Sequence, residues 1–426
     1  MVPSNANSSD SVTVKPARLH VPLPLVRQGI AMGIMAWATG RSDGRARRFP
    51  LAGSRLRAGA VLAVLGASAP ASAQTVTWSL VPSPNRAAGD FLVAVSCTSA
   101  AACTAVGAYE TSYPLSRTLI ESWNGTRWSI VLSPSLGGNS YLSGVSCTSA
   151  AACTAVGGYE TRGVSSTLIE SWNGTSWSVV PSPSPGTKRN GLSGVSCTSV
   201  TACMAAGAYG NSRDGAKTLI ESWDGTSWSI VPSPNRKGNN GLGSVSCTSP
   251  AACTAVGSYG PSQTPKTLVE SWNGTRWSVV PSPSRPGNND LVGVSCTSAT
   301  ACTAVGSSGS SIGLAAPLIE SWNGTRWSVA ASPSRTGSNL LFGVSCTSAT
   351  ACTAVGEYGV RNGHFRTLVE SWNGTSWSIV PSPNRDRNGD LRGVSCTPAT
   401  ACTAAGDYAK TSSSYQTLIE SETAGG

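Results

Sequence analysis

The sequence predicts an all-β fold, a seven-bladed β-propeller with four-stranded blades, and three observations support it. A unit of about fifty residues recurs seven times, marked by a Val-Ser-Cys-Thr motif whose cysteine advances by 49 or 50 residues. Each unit consists of short β-prone segments between turn residues, without helical periodicity. The last unit lacks the Trp-(Asn/Asp)-Gly-Thr-x-Trp hairpin of the other six, and residues 77–84 supply that ending at the front of the propeller region. A split unit of this kind predicts a closed ring rather than an open array.

The first unit shows how four antiparallel strands follow from the residues. Segments 91–97, 103–109, 118–123 and 126–131 are β-prone and separated by turn chemistry. The Asn-Gly pair at 124–125 predicts a two-residue type I′ turn. That turn would place Glu121 opposite Trp128, with the carboxylate between two indole rings.

Ring closure predicts a specific strand pairing. Residues 76–81 are expected to pair with residues 417–421, which places Trp78 beside Glu420.

The same glutamate recurs in every unit, so a catalytic or metal-binding ring has to be weighed against a structural role. We favour a structural role, in which each carboxylate accepts a hydrogen bond from a tryptophan N–H or a strand backbone inside its own blade. No metal or cofactor is expected. The seven glutamates are Glu121, Glu170, Glu221, Glu270, Glu320, Glu370 and Glu420.

The fourteen cysteines come in pairs, two in each unit with none left over, which predicts seven disulfides within the units. A zinc site is disfavoured, because the spacing is Cys-x5-Cys and His364 is the single histidine after residue 73. The predicted pairs are Cys97–Cys103, Cys147–Cys153, Cys197–Cys203, Cys247–Cys253, Cys296–Cys302, Cys346–Cys352 and Cys396–Cys402.

The first 73 residues differ from the repeats. Residues 41–73 combine a basic stretch, a short apolar run and Ala71-Ser72-Ala73, which predicts a secretory signal peptide removed near Ala73. Residues 1–40 are an N-terminal extension without clear periodicity, for which a mis-set start codon is one explanation. Residues 74–426 are expected to form a single propeller domain that is secreted and extracellular.

The net charge of +10 is concentrated in the leader. Residues 1–73 hold 9 Lys/Arg and 2 Asp/Glu, which leaves 21 basic and 18 acidic residues in the remainder, a net charge of +3. The general electrostatic argument for nucleic acid is therefore absent. The 24 arginines against 6 lysines, with an Ala- and Gly-rich leader, favour a GC-rich bacterial source.

The repeat resembles the Asp-box (BNR-type) propellers and the related photosystem-assembly-factor-like repeats. Their turn between the third and fourth strands carries Ser/Thr-x-Asp-x-Gly-x-x-Trp. The matching stretch here, residues 122–128, is one residue shorter and has Asn124 in place of the aspartate; Asp224 is the only acidic version. The resemblance implies architecture and no activity, and the Arg-Ile-Pro motif of sialidases is absent from the sequence.

Two connections of each unit vary in sequence, namely the one between strands two and three and the linker to the next unit. Because strands alternate in direction, both are expected on the same face, where binding residues usually lie. We call it the variable-loop face. On it, the loops of blades two to four form a predicted ligand-binding set, which we call the basic sector: Arg162, Lys188, Arg189, Arg213, Lys217, Arg236, Lys237 and Lys266.

The loops of blades six, seven and one are expected to carry a mixed set of charges instead. The acidic members are Glu357, Asp386, Asp390, Asp407, Asp90 and Glu110, and the basic members are Arg361, Arg366, Arg385, Arg387 and Arg392.

Two function classes follow from these features. The favoured one is a non-catalytic binding or scaffold propeller that holds an acidic glycan, another polyanion or a protein on the variable-loop face. The alternative is a polysaccharide hydrolase or lyase that uses two carboxylates on the same face. We expect a monomer without a membrane span and without nucleic acid as a partner.

Overall fold

The computed structural model describes residues 76–87, 89–112, 115–211, 215–309, 314–360, 363–385, 388–397, 401–411 and 414–423. These residues form 28 strands in seven four-stranded antiparallel sheets, which confirms the predicted all-β propeller. The predicted extension at 1–40 and the signal peptide at 41–73 lie outside this part of the chain. Across the described residues, none of the secondary structure is a helix of the length and apolarity that crossing a membrane requires.

Each blade runs from an inner strand beside the propeller axis to an outer strand at the rim. The inner strands are β2 (Asp90–Ser99), β6 (Ser140–Ser149), β10 (Arg189–Ser199), β14 (Asn239–Ser249), β18 (Asn288–Ser298), β22 (Asn339–Ser348) and β26 (Gly389–Thr397). The second strands are β3 (Ala102–Ser112), β7 (Ala152–Thr161), β11 (Ala202–Asn211), β15 (Ala252–Gly260), β19 (Ala301–Gly309), β23 (Ala351–Val360) and β27 (Ala401–Thr411).

The third and outer strands complete the blades. The third strands are β4 (Leu115–Trp123), β8 (Val164–Trp172), β12 (Gly215–Trp223), β16 (Lys266–Trp272), β20 (Ala316–Trp322), β24 (His364–Trp372) and β28 (Ser414–Thr423). The outer strands are β5 (Trp128–Val131), β9 (Trp177–Val180), β13 (Trp228–Ile230), β17 (Trp277–Val280), β21 (Trp327–Ala330), β25 (Trp377–Val380) and, in blade seven, β1 (Thr77–Val81).

The N-terminal strand closes the ring, as the sequence predicts, because β1 is the outer strand of the sheet that contains β26 to β28. The predicted register is wrong by two residues. Trp78 lies opposite Glu422, and Leu80 lies opposite Glu420. Trp78 is nevertheless buried in the same interblade cluster as Leu391 and Leu418, so the apolar side of the strand is the expected one.

Polar and apolar contacts join every blade to the next. In all seven junctions, the backbone N–H of the first cysteine of a disulfide donates to a serine hydroxyl on the preceding inner strand, at 2.9–3.0 Å. The bond between Cys97 and Ser395 links the first blade to the last. Apolar clusters also span the junctions, and that of blade one includes Ala405 and Ile419 of blade seven. The core therefore lies between blades rather than inside any one of them.

All seven predicted disulfides are confirmed, with Cα atoms 4.0 Å apart in every pair. Each pair joins directly opposed residues of an inner and a second strand, as for Cys97 and Cys103. The connecting turn is shorter than expected, because Ser99 and Ala102 still pair and only residues 100–101 lie between them.

The predicted two-residue hairpin turn is wrong. A two-residue turn would place Trp123 opposite Thr126, but Trp123 lies opposite Trp128, and Glu121 lies opposite Ile130. The reason is a side-chain cap: Asn124 Oδ1 accepts hydrogen bonds from the backbone N–H groups of Thr126 and Arg127, both at 3.0 Å. This cap holds a four-residue connection in which Gly125 adopts a φ of +91°, a left-handed conformation that suits glycine.

Candidate binding face

The two faces of the ring differ as the strand directions require. One face carries the disulfide turns and the Asn-Gly turns, which pack on each other; the indole N–H of Trp123 donates to the carbonyl of Ala100 at 3.0 Å. We call this the constant face. The opposite, variable-loop face carries the linkers, which bond to the connections between the second and third strands; Gly138 N–H, for example, donates to the carbonyl of Glu160 at 3.1 Å.

The basic sector lies on this variable-loop face, and each of its described members is exposed. Arg162 sits in the tight turn between β7 and β8, Lys188 lies in the linker before β10, and Arg189 begins that strand. Lys217 and Lys266 pair across the sheet with Tyr209 and Tyr259. Arg213 lies outside the described residues.

The described members of the basic sector form no ion pair with another described residue. Within the described residues, the ion pairs all belong to Arg392, which lies in blade seven. The exposed cations of blades two to four therefore present a positive surface at two junctions, between blades two and three and between blades three and four.

The prediction that acidic residues of blades six, seven and one lie in loops is wrong for the five that the structure describes; Asp386 lies outside the described residues, and Glu110, in β3, is partly exposed. Asp90, Glu357, Asp390 and Asp407 are in strands, and each is at most 6% exposed. Burial of a carboxylate requires compensating partners. Asp90 receives them from the backbone N–H groups of Arg86 and Ala87, which precede its strand.

Arg392 holds two of the other buried carboxylates. Its Nη2 lies 2.6 Å from an oxygen of Asp390, and its Nε lies 3.6 Å from an oxygen of Asp407. The guanidinium also lies 5.5 Å from the ring centre of Phe342 on the neighbouring inner strand. Arg392 is thus an internal anchor between blades six and seven, not a surface charge.

The seven recurring glutamates are structural, as predicted, but their partner is a different one. Each is fully buried at 0% exposure. None lies between two indoles, since Glu121 pairs with Ile130. Each accepts a hydrogen bond from the first serine of the Ser-Pro linker that arrives from the preceding blade. The shortest oxygen–oxygen distance is 2.6–2.8 Å in six blades and 2.9 Å in blade six.

Burial shifts the titration of these glutamates. It raises the pKa to about 8 for Glu121, Glu170 and Glu420. It raises the pKa to about 7 for Glu221, Glu270, Glu320 and Glu370. The serine hydroxyl opposes the shift in each case but is outweighed by desolvation. These carboxyls lie inside the ring and do not reach a ligand on either face.

The structure shows a recurrent arginine position that the sequence reasoning did not recognise, although it named Arg236 and Arg385 among the loop charges. An arginine follows the Ser-Pro linker at five of the seven blade junctions, and we call these the junction arginines: Arg86, Arg236, Arg285, Arg335 and Arg385. Four of them lie over a tyrosine at the end of a second strand. The recurrence of Arg in the linker and of Tyr in the second strand is the sequence signal that pairs them.

No family model matches this sequence, and no curated protein matches it either. Solved structures do match. A structure described as YCF48 bound to D1 peptide has a TM-score of 0.50 and 12% identity, covering 82% of this chain and 95% of that one. YCF48 from Cyanidioschyzon merolae has a TM-score of 0.49 and 13% identity, covering 80% and 98%.

A third match is the GH74 xyloglucanase from Xanthomonas campestris, with a TM-score of 0.49 and 11% identity, covering 80% of this chain and 55% of that one. At these identities the likeness concerns the fold alone. The chain is accordingly a seven-bladed β-propeller, similar in architecture to the structure of YCF48 bound to D1 peptide.

Proposed function

We propose that this chain is a secreted, non-catalytic binding propeller whose variable-loop face holds an acidic polysaccharide. The observation that supports it best is the exposed basic sector of blades two to four, whose described members form no ion pair with another described residue. Seven disulfides suit an extracellular or otherwise oxidising compartment. Secretion itself rests on the predicted signal peptide.

A repeating ligand fits a repeating surface. The cations lie on linkers and strand ends of three successive blades, so several of them line neighbouring blade junctions. A polymer with an anionic group on successive sugars can contact several junctions at once, and linked contacts raise the overall affinity without any single strong site.

The catalytic alternative finds less support. A glycosidase of the usual kind needs two carboxyl groups flanking the scissile bond, one of them able to donate a proton. Asp390 lies on the inner strand and Asp407 on the second strand of blade seven, directly opposite each other. Both are at most 5% exposed and lie against Arg392, so neither is placed at an open surface where it could flank a scissile bond.

The test compares two triple variants of the oxidised full chain for binding to polygalacturonate. Lys188, Arg189 and Lys237 are changed to Ser in one, and Arg127, Arg276 and Arg326 on the constant face are changed to Ser in the other. Both lose three charges. We expect the first to bind at least tenfold more weakly and the second to bind like the parent, with binding that falls as salt screens exposed charges over about 8–10 Å.

Two further ligands define the class of partner. Neutral dextran should not bind. Poly-glutamate tests a peptide partner, which the YCF48 structure with its D1 peptide makes a relevant comparison. Tighter binding of poly-glutamate than of polygalacturonate, or an equal loss in both triple variants, would contradict the proposal.

A further inference from the structure

The junction arginines are held in place before any ligand arrives. The guanidinium carbons of Arg86, Arg335 and Arg385 lie 5.2, 5.1 and 5.0 Å from the ring centres of Tyr109, Tyr358 and Tyr408. Arg236 lies 6.0 Å from Tyr259. These distances are within the range of cation–π attraction.

The backbone of four junction arginines is fixed as well. For Arg86, Arg236, Arg285 and Arg335, the first or second residue of the next inner strand is a buried Asn or Asp whose side chain accepts the arginine N–H; for Arg385 that position is Gly389. Asn240 does so for Arg236 at 2.8 Å, and Asn339 does so for Arg335 at 2.9 Å. Asp90 plays this part for Arg86. The arginine is therefore tethered at both its amide and its guanidinium.

Blade five shows that the arginine keeps its place where the tyrosine is missing. Ser308 occupies the tyrosine position there. Arg285 lies with its Nη1 3.4 Å from the Ser308 hydroxyl and 3.5 Å from the Pro317 carbonyl, while Asn289 accepts its N–H at 2.9 Å.

Most of these arginines are available to a ligand. Arg86, Arg236, Arg335 and Arg385 are exposed, and Arg285 is half-buried. A guanidinium has five N–H donors, so one that lies over a tyrosine ring still has donors for a ligand; in Arg86, one Nη1 hydrogen is directed to the Tyr109 hydroxyl at 3.3 Å. A planar guanidinium donates two parallel hydrogen bonds to a carboxylate, which an ammonium group does not.

We propose that the junction arginines, each positioned by its tyrosine, are repeated carboxylate subsites that select a uronic-acid polymer. This inference rests on the proposed function and extends its site from blades two to four to the junctions that precede blades one, five, six and seven. At the junctions before blades two and three the equivalent positions are Leu136 and Pro185, so the ring of subsites is open there. Lys188 and Arg189 of the basic sector lie within that gap.

The experiment keeps the positive charge of each arginine and removes its ability to donate two parallel hydrogen bonds. Arg86→Lys, Arg335→Lys and Arg385→Lys are combined in the full chain, and Arg127→Lys, Arg276→Lys and Arg326→Lys are combined as the matched control on the constant face. We expect the junction variant to bind polygalacturonate at least fivefold more weakly at unchanged net charge, and the control to bind like the parent. Thermal unfolding of both variants should match the parent, since the changed residues are exposed.

The tyrosines give a second measurement. Tyr109→Leu, Tyr358→Leu and Tyr408→Leu together should weaken binding in the same way, whereas the three Tyr→Phe changes should preserve it, because Phe keeps the aromatic face. If the triple Lys variant binds like the parent while the Ser variant of the basic sector still binds weakly, this inference is overturned and the proposed function stands. If the parent does not bind polygalacturonate at all, both fail.

Discussion

Ser83 and Glu121 form a hydrogen bond between two blades: the Ser83 hydroxyl donates to Glu121 Oε2 at 2.7 Å. Ser83 follows the outer strand of blade seven, and Glu121 lies on the third strand of blade one. The same bond recurs at every junction of the ring. In five of the seven glutamates, Glu121 among them, the second carboxyl oxygen is buried without a hydrogen-bond partner in the described residues.

These glutamates predict that the ring is more stable in mild acid than in base. Their folded-state pKa values of about 7 to 8 lie above the ordinary value of 4.5. A carboxyl with a raised folded pKa favours the folded state most below pH 4.5, and that contribution is lost as pH rises through 7 to 8. One pKa unit corresponds to about 1.4 kcal/mol. The raised pKa values of several glutamates together therefore lower the free energy of unfolding by several kcal/mol as the pH rises.

We therefore expect the melting temperature to fall steadily between pH 5 and pH 9, measured by tryptophan fluorescence in buffers of equal ionic strength. Glu221→Gln should make that fall shallower, because an amide still accepts the bond from Ser182 but does not ionise. Glu160→Gln removes the same charge at an exposed position on the variable-loop face and is the control; it should leave the slope unchanged. A melting temperature that rises over this range would exclude the mechanism.

Ring closure predicts that damage to β1 is felt throughout the propeller. Trp78 is 7% exposed and packs in the cluster between blades six and seven. Trp78→Ala should cost about 3–5 kcal/mol, as large aromatic truncations in a core do. Hydrogen exchange should then show reduced protection in all seven blades rather than in β1 alone.

Val76→Ala provides the comparison, since Val76 precedes the strand and is 38% exposed. It should leave both stability and exchange unchanged. Loss of protection restricted to β1 in the Trp78 variant would mean that the end of the ring frays independently.

The side-chain cap of the hairpin predicts a difference between two substitutions of Asn124. Asn124→Ala removes the acceptor of the Thr126 and Arg127 amides and of the Thr126 hydroxyl, and we expect a loss of about 1–2 kcal/mol. Asn124→Asp keeps that oxygen and should be tolerated. Chemical denaturation at pH 7 measures both.

Asp224 shows what the Asp variant should do with pH. Hydrogen bonds from the Thr226 hydroxyl and the Ser227 and Thr226 amides lower its pKa to about 2. A lowered pKa adds stability above the ordinary value of 3.8 that is lost as pH falls towards 2. Asn124→Asp should thus lose its stability relative to the parent only in that acidic range; equal losses for the Ala and Asp variants at pH 7 would exclude the cap.

Sequence periodicity was enough for the architecture, because a blade is a local unit. The Cys-x5-Cys spacing, the turn residues and the strand-length segments all act within fifty residues, and the seven disulfides and four-stranded sheets follow from them. The split last unit also identified the closing strand. The predicted register of this strand is wrong by two residues, as is that of the hairpin in blade one, because the expected two-residue turn is a four-residue connection capped by Asn124.

Contacts between blades could not be predicted from the sequence. They join residues that lie on different blades, and only the packed ring determines which of these residues become neighbours. The Ser83–Glu121 bond, the stacking of Arg86 on Tyr109 and the placement of Asp390 and Asp407 against Arg392 are all of this kind.

The sequence by itself determined the repeat, the strand order, the disulfides and the identity of the variable-loop face, since these depend on short-range pairing and alternating strand direction. The tertiary structure decided which charges reach the surface. The sequence does not distinguish a charged residue that points to solvent from one that points to the next blade. Only the packed ring shows that Lys188 is exposed while Asp407 is buried.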